Sequence, residues 1–315
     1  MPARTAVFDL LRKFDGIQMD YMRARDYLQM AGRAGRQGID DEGLVFSLLS
    51  DKDLLEAPVA RILSGHPEPV VSRFKTSYST LLHLVGELGR ERVFEAWEKS
   101  LDCFQHGGAR AKEQEKNRRL RRRLMQAQFE VLASLGYLDQ QDQPTARGRT
   151  ARLISGFEVQ ITELLFGGAL EDLAPEALAM VFVAAIYEER RRGDGRYVPA
   201  SLYGRERARI DRTLARLRTA EIEHGVETTA KPCDWGLSPA VIAWCGGADL
   251  EDLEDLAEAG PGDLCRTFRM AVQLLRQTRA ALDPAWDLRE RLLAAMALLN
   301  RDEIDARRQR PDFRI

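Results

Sequence analysis

Two short apolar runs, one from Thr5 to Leu10 and one from Leu44 to Leu49, enclose the segment QMAGRAGRQG, from Gln29 to Gly38. Each run has the length of a buried strand, and the residues from Arg25 to Ala31 between them read as helix. A strand–helix–strand unit is a segment of an α/β domain with a parallel sheet, a fold in which ligands collect at strand and helix ends. The segment carries two arginines three residues apart on a turn punctuated by glycine. A guanidinium stays charged and grips two phosphate oxygens at once, so Arg33 and Arg36 read as a phosphate clamp. Gly32 and Gly35 leave room for backbone to approach a triphosphate, and Gly38 permits a left-handed turn. A basic helix end capped by glycines would carry the same letters with no ligand at all. No G-x-x-x-x-G-K-[ST] loop occurs in the 315 residues, so the cradle for the β- and γ-phosphates is not among them.

Charge is nearly balanced, with 47 Lys and Arg against 49 Asp and Glu, and announces no nucleic acid by itself. Its distribution is uneven. Arg118, Arg119, Arg121, Arg122 and Arg123 form one basic block, the stretch from Arg190 to Arg218 forms another, and Asp249 to Asp263 holds seven acidic residues and no basic one. Each block also reads as a solvated helix face. Cys103, Cys233, Cys245 and Cys265 lack C-x-x-C spacing, so neither a zinc site nor a disulfide framework is expected. His66, His83, His106 and His224 are scattered singly and carry no catalytic expectation. No stretch approaches the roughly 18 apolar residues of a membrane span, and the start of the chain does not read as a signal sequence. The expected location is cytoplasmic.

Beyond Pro58, Pro67 and Pro69 the apolar spacing turns helical. Helices are expected from Arg73 to Glu87, Glu91 to Phe104 and Lys116 to Leu135, the last stopped by Gly136. A strand at Tyr137–Asp139, a polar turn and a return into helix at Thr145 would complete a winged helix. From Ser155 onward a bundle is expected, with helices at Phe157–Leu165, Pro175–Arg191, Arg205–Glu223, Pro239–Cys245, Leu250–Glu258, Asp263–Leu282 and Asp287–Asn300.

The segments MPARTAVFDLLRKFDG and RDYLQMAGRAGRQGID resemble the fifth and sixth motifs of superfamily-two helicases, as worded in the Ski and Mtr type of DExH-box RNA helicases. WEKSLDCFQH at Trp97, LGYLD at Leu135, TARGRTARLI at Thr145, TELLFGG at Thr162 and GDLCRTFRMAVQLLRQ at Gly262 are similar to landmarks of that family in the same order. The resemblance covers essentially the whole chain. It implies a mainly α fold in three parts. These are a remnant of the second RecA-like α/β domain over 1–57, a winged-helix domain over 58–155, and a C-terminal bundle of DSHCT type over 156–315. Only residues 106–117 stand where the family inserts its arch. The chain would then be a fragment, lacking earlier strands of the RecA-like sheet and exposing an unsupported edge.

The same resemblance implies ATP and Mg²⁺ as cofactors, usable only with RecA-like domains carrying the missing motifs, and single-stranded RNA as partner, with DNA an alternative. Gln29, Gly32 and Gly35 would border the nucleotide, and Arg33 and Arg36 would act catalytically, Arg36 as the finger at the γ-phosphate. On the ratchet helix, Arg266 and Arg269 would meet phosphates, and Glu189 would face the same channel. Where the family often has a second basic residue, this chain has Met270. Phe268 and Trp244 read as core. The expected function is the C-terminal part of an ATP-dependent RNA helicase, inactive toward ATP alone. The alternatives are a non-catalytic winged-helix and helical module that binds nucleic acid or protein, and a winged-helix DNA-binding regulator.

Overall fold

The computed structural model describes residues 3–14, 19–63, 66–72, 74, 76–105, 111–188, 198–227, 230–257 and 259–305. They form two compact units, Met1–Ser72 and Arg73–Ile315.

The first unit contains β1 (Thr5–Phe8), β2 (Arg12–Phe14), β3 (Met19–Tyr21), α1 (Ala24–Ala31), β4 (Leu44–Ser47), α2 (Asp51–Glu56) and α3 (Val59–Leu63). Strands β1 and β4 pair in parallel, with Thr5 opposite Leu44 and Phe8 opposite Ser47. Side chains alternate across a strand. Phe8 therefore points to the covered face, where its ring lies 4.5 Å from that of Tyr27 on α1. Val7 and Phe46, opposite each other on the other face, are 63% and 56% exposed. The core of this unit is small: Phe8, Leu11, Met22, Tyr27 and Ile62.

An antiparallel hairpin of β2 and β3 was not foreseen from the sequence. Its strands are too short and too polar to show a period, and a contact between them holds it: the Arg12 guanidinium lies 4.4 Å over the Tyr21 ring and donates to its hydroxyl at 2.7 Å. The N-terminus of α1 has no side-chain cap from Arg23. Instead the Glu68 carboxylate accepts from the N–H groups of Ala24 and Arg25 at 3.0 and 3.1 Å, bonds that pull its pKa down. Residues beyond the expected boundary at 57 thus belong to this unit, because one of them completes its helix.

The second unit opens with α4 (Tyr78–Leu88), α5 (Arg90–Glu98), α6 (Leu101–Gln105), α7 (Ala111–Ser134) and α8 (Ala146–Arg152). The helix expected from Glu91 to Phe104 breaks at Lys99, and the Trp97 indole bridges the break by donating to Asp102 at 3.2 Å. Gly136, at φ +75°, ends α7 as expected, with the Tyr137 N–H turned back to the Leu132 carbonyl. The expected strand after it amounts to one antiparallel bridge, Leu138 to Pro144. Pro144 has no N–H to extend a ladder, and the Asp139 carboxylate draws the turn closed by accepting from the N–H groups of Gln141 and Gln143.

The bundle follows as α9 (Glu158–Phe166), α10 (Pro175–Ile186), α11 (Gly204–Glu223), α12 (Ser238–Cys245), α13 (Pro261–Ala281) and α14 (Leu288–Leu299), with 3-10 turns at Glu251–Leu256 and Asp302–Ile304. Every residue of α10 from Ala177 to Ala184 is buried. A helix apolar all round belongs at the centre, and α12, α13 and α14 pack around it. Each buried Leu, Val, Met or Phe there is worth about 1.5–3 kcal/mol against exposure. The helix stops at Ile186 rather than Arg191, and the Asp234 N–H takes up the freed carbonyl of Ala184 at 2.8 Å. The helix expected at Leu250–Glu258 is the first 3-10 turn, where only Leu253 is buried among like-charged neighbours. No helix among the described residues is long and apolar enough to cross a membrane.

The two cores of this unit interleave across residue 155. Ile154 joins the bundle core, whereas Leu217 and Val226 join the core built on α4, α5 and α7. Tyr78 fixes that junction by donating to the fully buried Glu221 at 3.1 Å.

Candidate functional site

In the first unit, the helix α1 ends at Gly32, and the residues after it are zipped to the start of the chain. The Ala3 N–H donates to the Arg33 carbonyl at 3.0 Å, and the Gly35 N–H donates to the Ala3 carbonyl at 2.7 Å. This bridge fixes the backbone between the two arginines. Gly35 stands at φ +85°, a conformation that favours glycine. Gly43, which sequence reasoning passed over, is needed for a different reason. A Cβ there would lie 2.6 Å from the Ala34 carbonyl carbon and oxygen.

Arg36 is held by Asp40. Its Nε donates to Oδ2 at 2.8 Å and its Nη2 to Oδ1 at 2.9 Å, while its backbone N–H also donates to Oδ2 at 3.0 Å. Hydrogen bonds from Arg36 hold the Asp40 carboxyl at a pKa of about 2. The pairing is side-on, so the Nη1 donors of Arg36 point away from Asp40 and stay available to an anion. Arg33 is exposed and has no side-chain partner among the described residues. Gln29 is exposed on α1 and makes no side-chain bond to them either. The loop therefore presents two guanidiniums that fit phosphate oxygens. Among the described residues no group of three His, Cys, Asp or Glu could hold a metal ion.

In the bundle, Pro261 opens α13, whose inner stripe is Leu264, Phe268, Ala271, Val272, Leu274 and Leu275. Phe268 and Trp244 are fully buried, with ring centroids 5.9 Å apart. The outer stripe is Arg266, Arg269, Gln273 and Arg276, at helical spacing. The structure separates the two named arginines by role. Arg266 is exposed with no partner among the described residues, whereas Arg269 donates to the Ile304 carbonyl at 3.1 Å and to the Glu303 carbonyl at 2.5 Å. Arg269 thereby fastens the last 3-10 turn to α13. Sequence reasoning missed Gln273 and Arg276, which with Arg269 line a groove of about 630 Å³ between α13 and α14. Their spacing from Arg266 was the signal available.

Glu189 lies outside the described residues. Its neighbour Glu188 pairs with Lys231 at 2.5 Å on a cavity of about 780 Å³ lined by Phe157, Tyr187 and Trp235. The Trp235 indole donates to both Asp211 oxygens, at 3.1 and 3.2 Å, and burial pushes the Asp211 carboxyl up. Cys233 and Cys245 are pushed up to about 12 by burial, which leaves them neutral thiols and poor nucleophiles.

Residues 141–306 match the model of the DSHCT (NUC185) domain. The chain is 38% identical over 109 residues to the "ATP-dependent RNA helicase mtr4" of Schizosaccharomyces pombe, a match covering 32% of this chain and 10% of the relative. It is 40% identical over 108 residues to the human "Exosome RNA helicase MTR4", covering 34% and 10%. Against the human "Superkiller complex protein 2" the identity is 41% over 85 residues, covering 27% and 7%. The matched stretches span a tenth or less of these relatives' length.

Proposed function

The chain belongs to the DSHCT (NUC185) domain family, and from that membership we propose that it serves as the C-terminal part of an ATP-dependent RNA helicase. The observation that carries this reading is the conjunction of the family match with partial identity to RNA helicases over about a third of the chain. In this role the Gln29–Gly38 loop faces ATP held by a P-loop that the 315 residues do not contain. Bound ATP with Mg²⁺ supplies the phosphoryl group for hydrolysis. Arg36 Nη1 lies on the free side of its guanidinium and stabilises charge growing on the γ-phosphate, while Asp40 keeps the guanidinium from swinging. Arg33, unrestrained by any described partner, adds a second donor from the same loop. Gln29 borders the same nucleotide, and Gly32 and Gly35 let the backbone approach it. The exposed face of β1 and β4, with Val7 and Phe46, offers apolar surface to a further layer of an α/β domain.

In the bundle, Arg266 contacts the phosphates of a single strand running past α13. Arg269 contributes mainly by holding the turn beside that path, which limits its own grip on phosphate. Such contacts are electrostatic, with a log–log salt slope of about −0.7 for each phosphate on single strands.

Fluorescence anisotropy with labelled oligouridine tests the reading. The chain binds in a salt-dependent manner, and Arg266→Gln weakens binding. No binding at low salt overturns the RNA role. A radiolabelled ATPase assay on the chain alone gives no turnover. A rate on the order of 1 per second would show that it carries a complete nucleotide site of another kind.

A further inference from the structure

The basic block at Arg118–Arg123 has no part in the function described above, and its setting is unusual. Helix α7 has two halves. From Met125 onward it supplies buried residues to the core, including Phe129, Val131 and Leu132. From Lys112 to Leu124 it is exposed on nearly every side, with only Asn117 and Arg121 half-buried. This first half carries seven Lys and Arg against two Glu, a net of five positive charges, in a chain whose formal total is −2. Two of its arginines are paired: Arg119 with Glu115 at 2.6 Å, and Arg122 with Glu98 on α5 while lying 4.9 Å over the Phe94 ring. Arg118, Arg121 and Arg123 have no partner among the described residues.

Arg118 and Arg121, with Lys99 and Ser100 of the α5–α6 break, line a cavity of about 320 Å³. Three cations and a hydroxyl converge there, beside the carboxylate of Glu98, which is paired with Arg122. On its rim stands Phe104, 81% exposed, a ring that contributes nothing to the core. Unpaired arginines next to an exposed aromatic ring are the combination that binds single-stranded nucleic acid, the arginines taking phosphates and the ring stacking a base. An acidic peptide would use the arginines but would leave Phe104 in water.

We infer that the exposed half of α7 and the α5–α6 break form a second single-stranded RNA contact, with phosphates at Lys99, Arg118, Arg121 and Arg123 and a base on Phe104. It rests on the RNA-binding reading given above but uses none of the residues assigned there. Losing three arginines removes up to three phosphate contacts, which flattens the salt slope by about 2 and lowers affinity on the order of 100-fold at 0.1 M salt.

Anisotropy of labelled oligouridine on the full chain tests this, with the Arg118→Gln/Arg121→Gln/Arg123→Gln variant, the same triple to Lys, and Phe104→Ala compared with Arg266→Gln. All four positions are at least partly exposed, so circular dichroism should be unchanged. The expected result is a flatter salt slope for the Gln triple, retention of most affinity by the Lys triple, and weakened binding with unchanged slope for Phe104→Ala. If the Gln triple binds oligouridine as the parent does while Arg266→Gln weakens it, the second contact is wrong and the channel reading stands. If the parent binds no RNA, both fail. If the Gln triple loses only binding to polyglutamate, the surface is a protein site and the inference is overturned.

Discussion

Asp40 grips Arg36 from the side, through Nε at 2.8 Å and Nη2 at 2.9 Å, and leaves the far end of the guanidinium open. The carboxylate belongs to the same loop, four residues on, and its side chain is only 7% exposed, whereas that of Arg36 is 44% exposed. One partner is fixed and the other reaches outward. Asp40 thus orients the Arg36 guanidinium without enclosing it.

Acid should loosen this loop in a defined window. The folded Asp40 pKa of about 2 lies below its ordinary value of 3.8, so its contribution to stability is complete above about pH 4 and fades as pH falls toward 2. An NMR titration of the Asp40 carboxyl should give a midpoint near 2. A midpoint near 3.8 would mean that the pair does not form in solution.

Asp40→Asn tests its positioning role once ATP turnover is reconstituted with a P-loop-bearing half. An amide accepts through only one oxygen and carries no charge, so Arg36 should wander. The expected outcome is a fall in kcat with KM for ATP nearly constant, and equal changes in both would argue for a merely structural role.

Gly43→Ala should open the loop from behind. Its new methyl group would fall 2.6 Å from the Ala34 carbonyl, and backbone cannot yield as a side chain can. A destabilisation of roughly 1–3 kcal/mol is expected for such overpacking. Faster hydrogen exchange at the Gly35 amide, which now donates to the Ala3 carbonyl, would report it directly, and unchanged exchange would show that the strand shifts freely.

Glu163 accepts from the Tyr137 hydroxyl at 2.8 Å and pairs with the Arg147 guanidinium at 3.2 Å. Burial raises its pKa despite the stabilising pull of Arg147. A raised carboxyl pKa favours the folded state below its ordinary value of 4.5 and costs stability as pH rises through the folded value. Glu163→Gln removes that cost, so urea titrations should show the variant gaining on the parent between pH 4 and pH 7. A difference independent of pH would contradict the assignment.

Trp244 anchors the end of the bundle. It is fully buried, its indole donates to the Leu299 carbonyl at 3.1 Å, and the Arg301 guanidinium lies 3.7 Å over its ring while bonding the carbonyls of Trp244 and Ala248. Trp244→Ala should cost about 3–5 kcal/mol in chemical denaturation. A loss under 1 kcal/mol would mean that this end of the bundle is loosely packed.

Much of this was legible from local pattern. The parallel strands, α1, the stop at Gly136 and the bundle helices other than the one expected at Leu250–Glu258 follow from apolar spacing and turn chemistry, which act over a few residues and so are written in them. The break at Lys99 and the short hairpin were not, because each is held by a single side-chain pair that no period records. The same limit governs the candidate sites. The sequence by itself determined which residues could bear charge at the Gln29–Gly38 loop and along α13, since helical spacing alone puts Arg266 and Arg269 on one stripe. Only the tertiary structure decided that Arg269 is spent on the carbonyls of Glu303 and Ile304 while Arg266 has no partner among the described residues, and that Glu68, 44 residues away, caps α1. Backbone carbonyls and N–H groups carry no letter of their own. Where distant chain brings them against a side chain, the demand to satisfy buried or terminal hydrogen-bonding groups settles that side chain's role.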